Sequence, residues 1–103
     1  MANDPVWVAF VDGLVAGGIF LKPLPDAMKL ANIAVHPNFS GRGIGRMLIT
    51  KAEKESSAMG YCQMKLNTHI KMVENITMYA HLGWQEISRT GNTVTMSKDL
   101  NAD

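Results

Sequence analysis

Three alternating glycines form the pattern with the clearest chemical meaning in this sequence. The loop 40–45 reads Ser-Gly-Arg-Gly-Ile-Gly, and the residues after it read as an amphipathic helix. Glycine accepts positive φ angles and lets a bulky anion approach the main chain closely. The first N–H groups of a helix lack partners and carry the positive end of its dipole. With Arg42 and Arg46 as nearby cations, the loop is typical of a phosphate site.

Two common nucleotide-binding motifs do not fit this loop. A dinucleotide-binding G-x-G-x-x-G pattern that starts at Gly41 requires a glycine where Arg46 stands, and one that starts at Gly43 requires it at Leu48. The phosphate-binding G-x-x-x-x-G-K motif also fails at Arg46. Either the ligand is of another kind, or the glycines form only a tight turn between a strand and a helix.

The whole chain limits the class of protein. Its 103 residues carry a net charge of +1 without a basic run, which argues against binding to nucleic acid or a membrane surface. The single cysteine, Cys62, excludes an internal disulfide and a cysteine-rich metal site, so we expect no metal and a reducing compartment. The apolar stretch 6–21 is too interrupted for a membrane span and lacks the basic start of a signal peptide. We expect one cytoplasmic domain over residues 1–103.

Two periodicities predict the elements that position the loop. Runs of β-branched and apolar residues predict strands over 6–11, 14–21, 28–35, 61–66, 84–89 and 93–98. A 3.6-residue period predicts helices over 44–59 and 72–82, each followed by a glycine, and two prolines predict a loop over 22–26. The order β-β-β-α-β-α-β-β predicts a mixed α/β sheet whose third and fourth strands are parallel across a helical crossover.

A second motif follows the fourth predicted strand. Asn75 and Tyr79 are four residues apart, on one face of the predicted helix, and an aromatic residue follows the glycine that ends it. Together with the run 33–48, this pair resembles motifs B and A of the GCN5-related N-acetyltransferases (GNAT). The family pattern Q/R-x-x-G-x-G/A ends here in Gly43 and Gly45, and its first position falls on Ser40, a departure from Gln or Arg. The resemblance covers residues 6–98.

The resemblance implies a GNAT-like acyl-CoA N-acyltransferase fold and direct transfer of an acetyl group from acetyl-CoA to a primary amine. The cofactor would lie where the third and fourth strands part, and a main-chain N–H of residues 33–35 would polarise the thioester carbonyl. Tyr79 would be the general acid for the leaving thiolate, since its ordinary pKa of about 10 keeps it protonated. The cofactor-binding residues that the resemblance implies are Ile33, Ala34, Val35, Ser40, Gly41, Arg42, Gly43, Ile44, Gly45, Arg46, Asn75 and Tyr79.

The sequence does not identify the base that takes a proton from the acceptor. Many family members have a glutamate in the third strand, whereas residues 30–33 here read Leu-Ala-Asn-Ile. Glu86, His69 and His36 all remain open as candidates. The acceptor itself, a small molecule or a protein, is also left open.

Two features point away from a complete enzyme: the unidentified base and the start of the chain. Family members usually begin with a further strand and one or two helices, and this chain opens at what resembles the second strand. A non-catalytic acyl-CoA-binding module is therefore one alternative, and an interaction domain whose glycine loop is only a turn is another. The exposed edge strand over 6–11 predicts a homodimer.

Overall fold

The computed structural model describes residues 4–100, so residues 1–3 and 101–103 of the expected domain lie outside the described range. In chain order the elements are β1 (Val6–Val11), β2 (Leu14–Pro23), β3 (Met28–Val35), α1 (Ile44–Ala58), β4 (Gln63–His69), α2 (Val73–His81), β5 (Gln85–Thr90) and β6 (Thr93–Asp99). A short 3-10 helix, Pro37–Phe39, precedes the glycine loop. Within residues 4–100, neither helix has the length and apolar character needed to cross a membrane.

The six strands form one mixed sheet in the order β1-β2-β3-β4-β6-β5. Strands β3 and β4 are parallel, and all other neighbours are antiparallel. The predicted α/β fold class, the element order and the parallel third and fourth strands are therefore confirmed. Helix α1 connects β3 to β4, and α2 connects β4 to β5. Both connections run toward the β5 side of the sheet. Right-handed connections place both helices on the same face.

The core lies between the two helices and this face of the sheet. Successive strand residues point to opposite faces, so only every second one reaches the core. The strand residues that do so are almost fully buried and include Ile19, Leu21, Leu30, Met64, Leu66, Val94 and Met96. Helix α1 contributes Ile44, Leu48, Ile49 and Ala52 to the same cluster. This packing holds the first turn of α1, and with it the glycine loop, against β2 and β3.

Helix α1 and strand β3 both pack closely against β2 at Gly17. A β-carbon at Gly17 would lie 2.7 Å from the carbonyl oxygen of Ala34 and 3.3 Å from Cδ1 of Leu48. Packing therefore requires a residue without a side chain at this position. The neighbouring Gly18 is different, because the nearest atom to its β-carbon would be the Trp7 carbonyl oxygen at 3.4 Å.

The face of the sheet opposite the helices is called the open face below. At its β1–β2 end the open face is apolar, since Val8, Phe10 and Phe20 are 46%, 64% and 45% exposed. Toward the centre of the sheet it becomes polar, because Lys29 and Lys65 alternate with buried residues of β3 and β4. The two faces of the sheet thus differ sharply, with one packed and one uncovered.

Strands β5 and β6 differ from the predicted ranges by at most one residue at either end, whereas β2 and β4 differ by two residues or more. Strand β2 continues through residues 22 and 23, which the prolines assign to a loop, and Pro23 pairs with Met28. Proline has no N–H to donate to the sheet, and β2 ends at this residue. Strand β4 occupies Gln63–His69 instead of 61–66, because all seven of its residues pair with β6.

Replacement of Gly17 by alanine should lower the free energy of unfolding by about 1–3 kcal/mol, because the new methyl group must displace the Ala34 carbonyl or α1. Gly18→Ala is the matched control, and its effect should stay within about 0.5 kcal/mol because the methyl makes an ordinary contact. Urea unfolding followed by tryptophan fluorescence measures both. Equal stabilities of the two variants would contradict a packing requirement at Gly17.

Candidate functional site

A gap opens in the middle of the sheet between β3 and β4. The two strands pair only through residues 28–30 of β3 and 64–66 of β4. On its other side β3 stays paired with β2 as far as Val35. Within residues 4–100, the edge of β3 that faces the gap therefore has no strand partner from Ala31 to Val35. Its backbone N–H and C=O groups need other partners, and a ligand in the gap can supply them.

A cleft of about 460 Å³ occupies this gap on the helix side of the sheet. It is bounded by the second half of β3, by the glycine loop with the first turn of α1, and by α2. The residues that line it are Ile33, Ala34, Val35, Phe39, Ser40, Gly41, Gly43, Ile44, Gly45, Arg46, Asn75, Met78 and Tyr79. The cleft therefore combines a strand edge, a glycine-rich loop and a helix face.

Backbone geometry explains two of the loop glycines. Gly41 and Gly43 have φ angles of +78° and +77°, in the left-handed region that favours glycine. The first helical hydrogen bond runs from the N–H of Met47 to the Gly43 carbonyl, at 3.0 Å. The N–H groups of residues 44–46 therefore have no partner within the helix. The loop offers these donors and the positive end of the α1 dipole to an anion in the cleft.

Gly45 requires a different explanation. Its φ angle is not positive, and a β-carbon there would meet only Cγ2 of Val35, at an ordinary 3.7 Å. Neither strain nor packing within the chain excludes a side chain at this position. Gly45 and Val35 both line the cleft. An added methyl group would therefore project into the cleft.

The polar side chains of the loop are partly engaged within the chain. The hydroxyl of Ser40 donates to the Pro37 carbonyl at 3.0 Å, so its single proton is already used. Arg42 does not line the cleft. Its guanidinium carbon lies 5.3 Å from the centroid of the Phe39 ring, at cation–π distance. Phe39 forms part of the cleft wall, and Arg42 covers it from outside.

Tyr79 and Asn75 lie together on α2, in the wall opposite β3. The side chain of Tyr79 is only 4% exposed. Burial raises the pKa of its phenol above the ordinary value of 10.0. The hydroxyl therefore keeps its proton at neutral and mildly alkaline pH, as a proton donor must.

A series of contacts holds the ring of Tyr79 in position. Its ring packs against Trp84 with the centroids 5.8 Å apart. The indole N–H of Trp84 donates to Oε2 of Glu53 at 3.2 Å, and Nζ of Lys98 donates to Oε1 of Glu53 at 2.7 Å. Lys98 also donates to the Leu82 carbonyl at 2.6 Å. Because Glu53 and Lys98 are largely shielded from solvent, this network ties α1, the end of α2 and β6 into one support.

None of the three candidate bases lines the cleft. Glu86 accepts two hydrogen bonds from Arg89, at 3.0 and 2.8 Å, and these lower the pKa of its carboxyl group. In His36 and His69, Nδ1 accepts a backbone N–H two residues further along the chain. Across residues 4–100, no three His, Cys, Asp or Glu side chains cluster as metal ligands. The cleft lining contains no carboxylate either.

The cleft gathers every residue predicted to bind the cofactor except Arg42. It also includes Phe39 and Met78, which the motifs do not single out. Met78 lies three residues after Asn75, so helical spacing alone could have identified it. Phe39 lies in the short 3-10 helix, where no periodic signal marks it. The roles of all these residues in binding or catalysis remain predictions.

Residues 2–86 match the family described as the acetyltransferase (GNAT) domain, and the chain therefore belongs to this family of acetyl-CoA-dependent N-acetyltransferases. It is 31% identical over 85 residues to the uncharacterized N-acetyltransferase YjgM of Escherichia coli, covering 79% of this chain and 51% of that protein. It is 26% identical over 90 residues to the spermidine N(1)-acetyltransferase of Thermoplasma acidophilum, covering 87% and 56%. The chain thus spans about half the length of these curated relatives.

A solved structure confirms the fold independently of the sequence motifs. PaiA N-acetyltransferase from Thermoplasma acidophilum, in complex with coenzyme A, matches with a TM-score of 0.88 at 24% identity. The match covers 94% of this chain and 61% of that chain. The sheet with its two helices is therefore the GNAT-like fold.

Gly45→Ala should leave thermal stability unchanged or slightly raised, because alanine favours the helix. It should weaken binding of acetyl-CoA, the co-substrate of the family, by about tenfold or more, because the methyl group blocks close approach to the loop backbone. Isothermal titration calorimetry measures the affinity, with Gly18→Ala as a control outside the cleft. Unchanged affinity in Gly45→Ala would mean that the loop serves only as a turn.

Proposed function

We propose that this chain transfers an acetyl group from acetyl-CoA to a primary amine of a small-molecule or protein acceptor. One observation carries this proposal: the unpaired edge of β3, the glycine loop and Tyr79 all face a single cleft. Alone, each feature is ordinary, since strands have edges, loops contain glycines and cores contain tyrosines. Their convergence suits a long ligand with a pyrophosphate at one end and a reactive thioester at the other.

Backbone groups do most of the binding in this proposal. The N–H groups of residues 44–46 receive the pyrophosphate, and Arg46 adds positive charge at the same place. The pantetheine arm lies along the free edge of β3 and pairs with it as an added strand does. The amide of Asn75 binds the arm from the other wall. Bound acetyl-CoA supplies an acetyl group that is already activated as a thioester.

The chemistry then needs one donor at each end of the breaking bond. A backbone N–H among Ile33, Ala34 and Val35 polarises the carbonyl oxygen. The acceptor ammonium loses one proton to water, and its nitrogen forms the new C–N bond as the C–S bond breaks. Tyr79 donates its phenol proton to the sulfur, and the second amine proton restores the phenol. Orientation within the cleft supplies most of the rate.

A non-catalytic acyl-CoA-binding module is the second candidate, favoured by the absence of any carboxylate from the cleft lining. Thiol release from acetyl-CoA in the presence of a panel of primary amines separates the two functions. Turnover above the amine-independent rate supports transfer. A thermal shift with acetyl-CoA but no turnover on any amine supports the binding module. Absence of both effects contradicts both functions.

Tyr79→Phe should lower kcat by about a hundredfold or more while leaving the affinity for acetyl-CoA unchanged, because only the proton donor is lost. Since burial raises the pKa of this phenol above 10.0, the midpoint of any loss of wild-type kcat through ionisation of the donor should lie above pH 10.0. Tyr61→Phe, at a half-buried tyrosine outside the cleft, is the matched control. If kcat is equal in the two variants, Tyr79 is not the acid.

We also propose that two copies associate through β1, the outermost strand at one side of the sheet. Its unpaired edge and the exposed apolar side chains of Val8 and Phe10 favour pairing with a second chain. Light scattering should give the mass of a dimer, and Phe10→Lys should reduce it to that of one chain. A single-chain mass for the unmodified protein would contradict the proposal. A cytoplasmic location stays a prediction.

A further inference from the structure

Three lysines form a row across the open face. In the strand registers, Lys22 of β2 pairs with Lys29 of β3, and Lys29 pairs with Lys65 of β4. Residues on both sides of Lys29 and Lys65 in the chain are buried in the core. Because side chains alternate along a strand, these lysines must point to the opposite face. Strand pairing therefore brings the three lysines together, although they are far apart in the sequence.

The positive charge of this row is only partly balanced. Lys65 lies 3.6 Å from Asp26, whose side chain is 74% exposed. Asp99, further along the same face, accepts a hydrogen bond from Gln63. Within residues 4–100, Lys22 and Lys29 take part in no ion pair. Like charges placed opposite each other on neighbouring strands destabilise a sheet. Charge repulsion that no neighbouring acidic side chain balances is typical of a functional position.

The row lies directly beside the gap between β3 and β4. Lys29 and Lys65 pair one step before Leu30 and Leu66, the last pair of these two strands. The gap therefore starts about 3–7 Å from the two lysine backbones, given the rise per strand residue. No element of the described chain separates the row from the gap on the open face.

The helices occupy one side of the sheet, and acetyl-CoA would occupy the same side in the complex proposed above. The acceptor would then approach the gap from the open face. A second cleft, of about 430 Å³, lies on the open face and is lined partly by Ala34 and Val35. The same two residues line the cofactor cleft. The two clefts thus lie on opposite faces of the same part of β3. This part is five residues from Lys29, about 16 Å along the strand, so an amine that moves over the open face from the second cleft to the start of the gap approaches the lysine row.

We propose that the lysine row selects an acceptor that carries an anionic group, a carboxylate or a phosphate, in addition to its primary amine. This inference rests on the acetyl transfer proposed above and narrows its substrate class. Lys29 and Lys65 attract the anion while the amine enters the gap. A polycationic amine such as spermidine, the substrate that names one relative, is repelled by the same charges.

The test compares matched amines by the rate of thiol release from acetyl-CoA. One set contains ω-amino acids of increasing length, and the rate with each amino acid is compared with the rate with its own amide. A second pair is O-phosphoethanolamine against ethanolamine, and spermidine is the polycation. The two sets distinguish a carboxylate from a phosphate. Each amine is measured with the wild type and with Lys29→Met, because the ratio of kcat/KM between two enzymes cancels the intrinsic basicity of the amine.

In Lys29→Met, kcat/KM should fall about tenfold or more for the anionic amines, stay unchanged for the amides and rise for spermidine. Lys29→Glu should reverse the preference. Lys54→Met removes an exposed lysine from α1, on the other side of the molecule, and should change none of these ratios. Urea unfolding of Lys29→Met should show equal or greater stability, because the variant removes repulsion.

Equal losses for anionic and neutral amines, or a preference for spermidine in the wild type, overturn the proposed selectivity and leave acetyl transfer standing. If no amine is turned over, calorimetry measures the affinity of the anionic amines for the complex of the protein with coenzyme A. Lys29-dependent binding without turnover supports the anion site and contradicts the transfer reaction. If the anionic amines show no turnover and no binding, both the anion site and the transfer reaction are contradicted.

Discussion

Backbone N–H and C=O groups need hydrogen-bond partners, and in the part of the chain that the structure describes, the edge of β3 beyond Leu30 lacks a neighbouring strand that would supply them. The structure around the cleft depends on this constraint. The two central strands pair for only three residues, and the following half of β3 faces a cleft. Everything near the cleft is arranged around that open edge: the glycine loop at its far end, α2 along its side and Tyr79 across from it. A sheet that closed this gap would have no room for a ligand.

Much of the fold and the site follows from local sequence patterns. The glycine loop, the helix after it and the shared helical face of Asn75 and Tyr79 are encoded within short stretches, so spacing alone predicts them. The predicted roles of Asn75 and Tyr79 come from the family resemblance. The parallel pairing of β3 and β4 follows from the helical crossover between them. Family resemblance then supplies the cofactor, which residue chemistry alone describes only as an anion near a helix terminus.

What the sequence does not predict depends on contacts between distant segments. The extension of β2 to Pro23 depends on its pairing with Met28. The stacking of Arg42 on Phe39 removes from the cleft a cation that the loop sequence assigns to it. The lysine row exists only because three strands align in one register. Each of these features combines residues whose partners cannot be read from a local period.

The short link between β3 and β4 also has a consequence for cooperativity. Three strands lie on each side of it, and each half is built largely from neighbouring strands of the chain. Besides these three residue pairs, the shared core and the network around Glu53 connect the two halves. The backbone link is thus the narrowest part of the sheet, and local opening is expected there. A ligand in the gap that contacts both β3 and α2 would strengthen this link, and hydrogen exchange along β3 and β4 would then slow together.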